Sequence, residues 1–120
     1  MRILAIDDEK NLLQVLTDTL HRVCEKEDTI VAFSKAKDLA KCENKTFDVA
    51  FIDMKLGYLS GVDFAQELLR YSPHCNIIYV TADDMVHASV FQTRPSGYVL
   101  KPYTDDEIRA ELDNLRYPAK

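Results

Sequence analysis

The chain has 120 residues, 47% of them hydrophobic and 29% charged, which is the size and balance of one domain that buries its own core without disulfides or a structural metal. No run of about 18 apolar residues is present, so a membrane-spanning helix is excluded, and the opening "MRILAIDDEK" turns acidic too early for a secretory signal, which makes the cytoplasm the expected compartment. A net charge of −5 argues against this domain gripping nucleic acid by itself, though not against an attached domain doing so.

Short apolar runs alternate with helical patterns along the whole length. "RILAID" (2–7) is the first run, and Leu12, Leu13, Leu16, Leu20 and Val23 then mark one face of a helix. "TIVAF" (29–33) is the second run; Ser34 is placed to cap a following helix, "KAKDLAKCE", with a thin stripe of Ala36, Leu39 and Ala40. "DVAFID" (48–53) is the third run, followed by a loop holding Gly57 and Gly61 and by a helix over about 62–72 with Val62, Ala65, Leu68 and Leu69 on one side. After the Pro73 turn comes "NIIYVT" (76–81), the fourth run, and then a short helix predicted over about 84–93 that stops before Pro95. "GYVL" (97–100) is the fifth run. Thr104 and Glu107 read as a capping box for a last helix carrying Ile108, Leu112 and Leu115. Five β-then-α units whose strands lack polar alternation predict an α/β fold, a single doubly wound (βα)5 domain with one parallel sheet covered on both faces. The domain is expected to span 1–116, with residues 117–120 a tail or the start of a linker to an output domain.

In an open parallel sheet, ligands bind beyond the carboxyl ends of the strands. Strand one ends here in Asp7 and Asp8, strand three in Asp53, strand four in Thr81 and Ala82, and strand five in Lys101 and Pro102. For a strand order of 2-1-3-4-5, strands one and three are neighbours and three aspartates meet in one pocket. Carboxylates that close repel unless a counter-charge is present. An all-oxygen donor set suits a hard divalent cation, Mg2+ above all and Mn2+ as a substitute. Lys101 adds an ammonium and Thr81 a hydroxyl, so that Asp53 is the candidate nucleophile toward a phosphoryl group. Taken singly, each acid has a plainer reading, because Asp8 is equally suited to cap the helix that follows it.

Over essentially all its length the chain resembles the receiver domain of bacterial two-component response regulators, whose fold is flavodoxin-like. The matching motifs are "IDDE" (6–9), "FIDMKLGYLSG" (51–61), "VTA" (80–82) and "GYVLKPY" (97–103). The resemblance implies a phosphorylation switch rather than an enzyme: Asp53 takes a phosphoryl group from a sensor histidine kinase, with self-phosphorylation from small donors and self-dephosphorylation as its only chemistry. It implies Mg2+ held by Asp8, Asp53 and the backbone carbonyl of Lys55, with Asp7 acting through water. Lys101, Thr81 and the N–H of Ala82 would meet the phosphoryl oxygens, Thr81 and Tyr98 would move together as the switch, and the Lys101–Pro102 bond would be cis. The fourth helix, fifth strand and last helix would form the output face and a homodimer face, and nucleic acid would be reached only through an output domain.

Several positions depart from that pattern or stand outside it. Gly57 occupies a place where the family usually has proline, which predicts a more mobile loop. Asp83 and Asp84 follow the phosphoryl-binding pair and are read as a helix cap, and Tyr58 either shields the site or covers the core edge. His21, His74 and His87 are scattered and read as surface or partly packed residues, and Cys24, Cys42 and Cys75 fit neither a disulfide framework nor a zinc site. A haloacid-dehalogenase-like phosphatase would need a second acid where Lys55 stands, and an FMN carrier would need hydroxyls and glycines where "IDDEKN" is acidic. A protein-binding module that signals without phosphorylation is the remaining alternative.

Overall fold

Alternation along a strand decides which side chains reach which face of a sheet, and in this protein it organises both the core and the site. The computed structural model describes residues 1–57, 59–82 and 88–118. In chain order the elements begin with β1 (Arg2–Ile6), α1 (Lys10–Val23), β2 (Thr29–Phe33), α2 (Asp38–Lys41) and β3 (Val49–Asp53). A two-stranded ribbon, β4 (Lys55–Leu56) and β5 (Leu59–Ser60), leads into α3 (Gly61–Tyr71) and β6 (Asn76–Thr81). A 3-10 helix (Ala88–Thr93), β7 (Gly97–Leu100) and α4 (Asp105–Asp113) complete the series. The sheet runs β2-β1-β3-β6-β7 with every neighbouring pair parallel, which is the expected 2-1-3-4-5 order once the ribbon is set aside.

The core lies on both faces. Leu4, Ile6, Ala50, Ile52, Ile77 and Tyr79 pack with Phe64 and Leu68 of α3, Leu39 of α2 and Val90 of the 3-10 helix. Their neighbours in sequence, Ile3, Ala5, Val49, Phe51, Ile78 and Val80, pack on the other side with Leu16 and Leu20 of α1, Val99 of β7 and Ile108 of α4. The capping box of α4 forms: the Thr104 hydroxyl accepts from the Glu107 N–H, and the Glu107 carboxylate accepts from the Thr104 N–H, each at 3.1 Å.

Three elements differ from the sequence expectation. Ser34 does not cap the second helix with its side chain. Instead the Asp38 carboxylate accepts the backbone N–H groups of Ser34 and Lys35, and α2 is only four residues long. Leu39 is its one buried side chain, and a helix with so little apolar surface to bury has nothing to offset its nucleation cost. The segment ahead of Pro95 is a 3-10 helix over Ala88–Thr93, where the Thr93 hydroxyl donates to the Val90 carbonyl and shares a 2.7 Å hydrogen bond with the buried Tyr79 hydroxyl. The loop after Asp53 is braced as a ribbon, with Lys55 opposite Ser60 and Leu56 opposite Leu59. Tyr58, Asp83, Asp84 and His87 lie outside the described residues. His21 is exposed, and among the described residues no helix is long and apolar enough to cross a membrane.

Past α4 the chain is tied to the amino end of β6. The Asn76 side chain, 1% exposed, donates to the carbonyls of Asp48 and Tyr117 at 2.9 and 2.7 Å and accepts the Tyr117 N–H at 2.7 Å. The Tyr117 ring stacks on His74 with centroids 4.8 Å apart. Asn76→Ala removes this two-way clamp, and a buried amide with three partners is worth about 1–3 kcal/mol. Urea unfolding is expected to show that loss, together with a Tyr117 amide whose hydrogen exchange becomes as fast as that of an unstructured tail.

Candidate functional site

Asp7 follows the last residue of β1, Asp53 ends β3 and Lys101 follows the last residue of β7. By alternation all three share the face of Ile3, Ala5, Val49, Phe51 and Val99, the face covered by α1 and α4. Ile6 pairs with Ile52, so one step further along parallel strands sets Asp7 beside Asp53. The Lys101 ammonium lies 3.1 Å from Asp7 Oδ2 and 3.3 Å from Asp53 Oδ1, bridging both carboxylates. Asp7 is 2% exposed, and its other oxygen accepts the Glu9 N–H at 2.9 Å. Asp8, the next residue, is exposed and accepts the Gly57 N–H on Oδ2 at 2.9 Å. It does not cap α1: the cap position is Glu9, with no side-chain hydrogen bond. One carboxylate oxygen from each of Asp7, Asp8 and Asp53 lies within 4.8 Å of the other two.

Among the described residues, the three clustered carboxylates have one ammonium, that of Lys101, within ion-pair distance. Asp53 registers this. Burial pushes its carboxyl up from the ordinary 3.8 to about 6, and the charge of Asp7 pushes the same way. The Lys101 ammonium and a backbone hydrogen bond from Lys55 oppose the shift without cancelling it. A donor set made only of oxygens, three carboxylates paired with one ammonium, fits a hard divalent cation.

The cleft around these residues has a volume of about 720 Å3 and is lined by Asp8, Glu9, Leu12, Asp53, Lys55, Gly57, Thr81, Ala82 and Lys101. Thr81 ends β6 with its side chain 5% exposed, and its carbonyl accepts the Lys101 N–H at 2.7 Å. The Lys101–Pro102 peptide is cis. Tyr98 stands apart from the cleft. It pairs in register with Tyr79, their rings 6.5 Å apart, and packs on the α3 side of the sheet. Gly61 opens α3 where a Cβ would run into the Asp53 carbonyl oxygen, and its N–H bonds the Met54 carbonyl at 2.8 Å. Two contributors were not visible as site residues in the sequence: Leu12, which lines the cleft, and the amide of Gly57. The Glu9 N–H on Asp7 had a local signal, since an aspartate commonly accepts from the amide two residues on. The Gly57 amide had none, because 49 residues separate it from Asp8.

The sequence model of the response regulator receiver domain matches residues 3–113, and this chain belongs to that family. It is 32% identical over 120 residues to the sensory transduction protein LytR of Staphylococcus epidermidis, covering 96% of this chain and 46% of that one. It is 30% identical over 112 residues to the alginate biosynthesis transcriptional regulatory protein AlgB of Pseudomonas aeruginosa, covering 90% of this chain and 24% of AlgB. The chain thus spans about half the length of the first relative and a quarter of the second. Among solved structures, a CheY-like receiver domain protein from Methanospirillum hungatei superposes with a TM-score of 0.78 at 25% identity, covering 93% of this chain and 90% of that one. The response regulator TrrA of Thermotoga maritima, solved in complex with Mg2+ and BeF, superposes at 0.76 with 23% identity, covering 93% and 96%.

Because the folded carboxyl of Asp53 titrates above its unfolded value, the native state holds this proton more tightly, and stability falls as pH rises from 3.8 to about 6. Discounted for the water in the open cleft, the loss is about 1–2 kcal/mol. Asp53→Asn is therefore expected to melt higher than the parent at pH 7.5 in cation-free buffer, the difference vanishing below pH 4. Gly61→Ala is expected to lose about 1–3 kcal/mol in denaturant unfolding, because the helix start must back away from the Asp53 carbonyl.

Proposed function

We propose that this domain is the phosphorylation switch of a two-component response regulator. The observation that carries the reading is the pairing of Lys101 with both Asp7 and Asp53, with Asp8 close enough to complete an oxygen-only cation site. Asp8, Asp53 and the backbone carbonyl of Lys55 would hold the ion, with Asp7 acting through water. When bound, Mg2+ (or Mn2+) supplies positive charge that offsets the repulsion between Asp53 and an incoming phosphoryl group. TrrA, solved with Mg2+ and BeF, supports that choice.

Asp53 is the nucleophile. One of its oxygens forms a bond to phosphorus as the P–N bond to the phosphohistidine of a sensor kinase breaks, and the histidine leaves with the electron pair of that bond. Lys101 pairs with a phosphoryl oxygen, and the Thr81 hydroxyl and Ala82 N–H donate to the others. Drawing Thr81 toward the phosphoryl group frees space on the α3 side of the sheet, where Tyr98 packs, and couples the two residues as a two-state element. The same site would accept phosphoryl groups from small donors and return them to water, with no other turnover. β7 is an edge strand whose last residue, Leu100, is 42% exposed, and Phe91 of the 3-10 helix is 66% exposed. This favours a homodimer and output face built from the 3-10 helix, β7 and α4. The name of the AlgB relative, a transcriptional regulatory protein, supports a transcriptional output, exerted by a DNA-binding domain outside the receiver unit of residues 1–116, with 117–120 a tail or the start of a linker. A kinase and a regulator of this kind meet in the cytoplasm.

Acetyl phosphate with Mg2+ is expected to add one base-labile phosphoryl group, and Asp53→Asn to remove the labelling. An Asn variant that labels as well as the parent would overturn the assignment. Thr81→Ala is expected to keep labelling while uncoupling Tyr98, so that beryllofluoride with Mg2+ no longer shifts the Tyr98 ring resonances. Chelation of the cation is expected to abolish labelling in every variant.

A further inference from the structure

The hydrogen bond from the Gly57 N–H to Asp8 Oδ2, 2.9 Å long, joins the ends of two different strands across the mouth of the cleft. Gly57 opens the two-residue turn between β4 and β5 and holds a left-handed φ of +67°, a conformation that glycine adopts without penalty and asparagine tolerates. The described residues on either side of the turn are held by the fold. Leu56 before it is buried in the core, the Ser60 hydroxyl after it accepts the Asp63 N–H as the cap of α3, and the Gly61 N–H returns to Met54. Asp8, by contrast, is exposed. Among the described residues, Gly57 is the one group with a hydrogen bond to its side chain. A loose exposed carboxylate samples several rotamers, and each is a different separation from Asp7 and Asp53.

We infer that Gly57 is a positioning residue for the cation site: its backbone N–H holds one oxygen of Asp8 and keeps that carboxylate turned toward Asp7 and Asp53. The inference rests on the cation-binding reading of the three aspartates. A proline at this position would lack the donor and force φ near −65°, so the glycine brings a donor to the site that a proline cannot. The ribbon pairing of Lys55 with Ser60 and of Leu56 with Leu59 lies next to this bond. There is room for a side chain here: among the described residues, a Cβ on Gly57 comes no closer than 4.0 Å to any atom, and that atom is Asp8 Oδ2.

The test is Mg2+ affinity, followed by amide resonances, for four proteins: the parent, Gly57→Asn, Gly57→Pro and a semisynthetic protein with the Leu56–Gly57 amide replaced by an ester. The ester deletes the donor and leaves φ unrestrained. Groups that orient a metal ligand typically change affinity by about 10–100-fold when removed. That range is expected for both the proline variant and the ester, with Gly57→Asn within about threefold of the parent. In the cation-free protein the Gly57 amide is expected to exchange slowly, and fast after Asp8→Ala. An ester that binds Mg2+ as tightly as the parent overturns the positioning role. So does a Gly57 amide whose exchange ignores Asp8→Ala. A parent with no Mg2+ affinity at all overturns the cation reading and this role with it, while a lost effect confined to the variants leaves that reading intact.

Discussion

The ammonium of Lys101 is what lets this sheet end in acid. Asp7 is almost fully buried and Asp53 largely so, and two carboxylates that close to each other and that far from water would each resist ionisation without a cation between them. Lys101 reaches both from the far side of β6, so the site exists only when β1, β3 and β7 are in register. Its compensation is partial. The raised carboxyl of Asp53 is the residue of that imbalance, and it is also what makes the pocket a ready host for a divalent ion. Stability is thus given up at the place where chemistry is needed, as is common for functional sites.

Strand alternation connects this site to the rest of the molecule. The odd-numbered positions of β1 and β3 that pack Ile3, Ala5, Val49 and Phe51 against α1 and α4 also deliver Asp7 and Asp53. In β6 the parity is reversed: Ile77, Tyr79 and Thr81 share the opposite face, where Tyr79 meets Tyr98 and Thr93. Thr81 lines the cleft that holds Asp53 and also ends the strand that carries Tyr79 on the other face. At the amino end of the same strand, Asn76 fastens the chain beyond α4. One strand thus carries Thr81 at one end and, at the other, the amide that holds Tyr117.

Much of this is legible in the sequence itself. Five apolar runs separated by helical periodicity, each strand ending on a distinctive polar residue, were enough to place Asp7, Asp8, Asp53, Thr81 and Lys101 together, because in a parallel sheet every strand delivers its carboxyl end to the same edge. The capping box of α4 was equally legible, since cap and partner are three residues apart. What stayed hidden depends on contacts between distant residues. The length of α2 was set by how little apolar surface it could bury, and the ribbon after Asp53 by pairing across a turn. Asp8 was drawn to the Gly57 amide rather than to its own helix, and Asn76 clamped Tyr117 across 41 positions. The sequence by itself determined the alternation of strands and helices and the charged residues that end the strands, through local pattern. Only the tertiary structure decided which backbone groups hold those charges in place, because hydrogen-bond partners are chosen by proximity in space and leave no periodic trace along the chain.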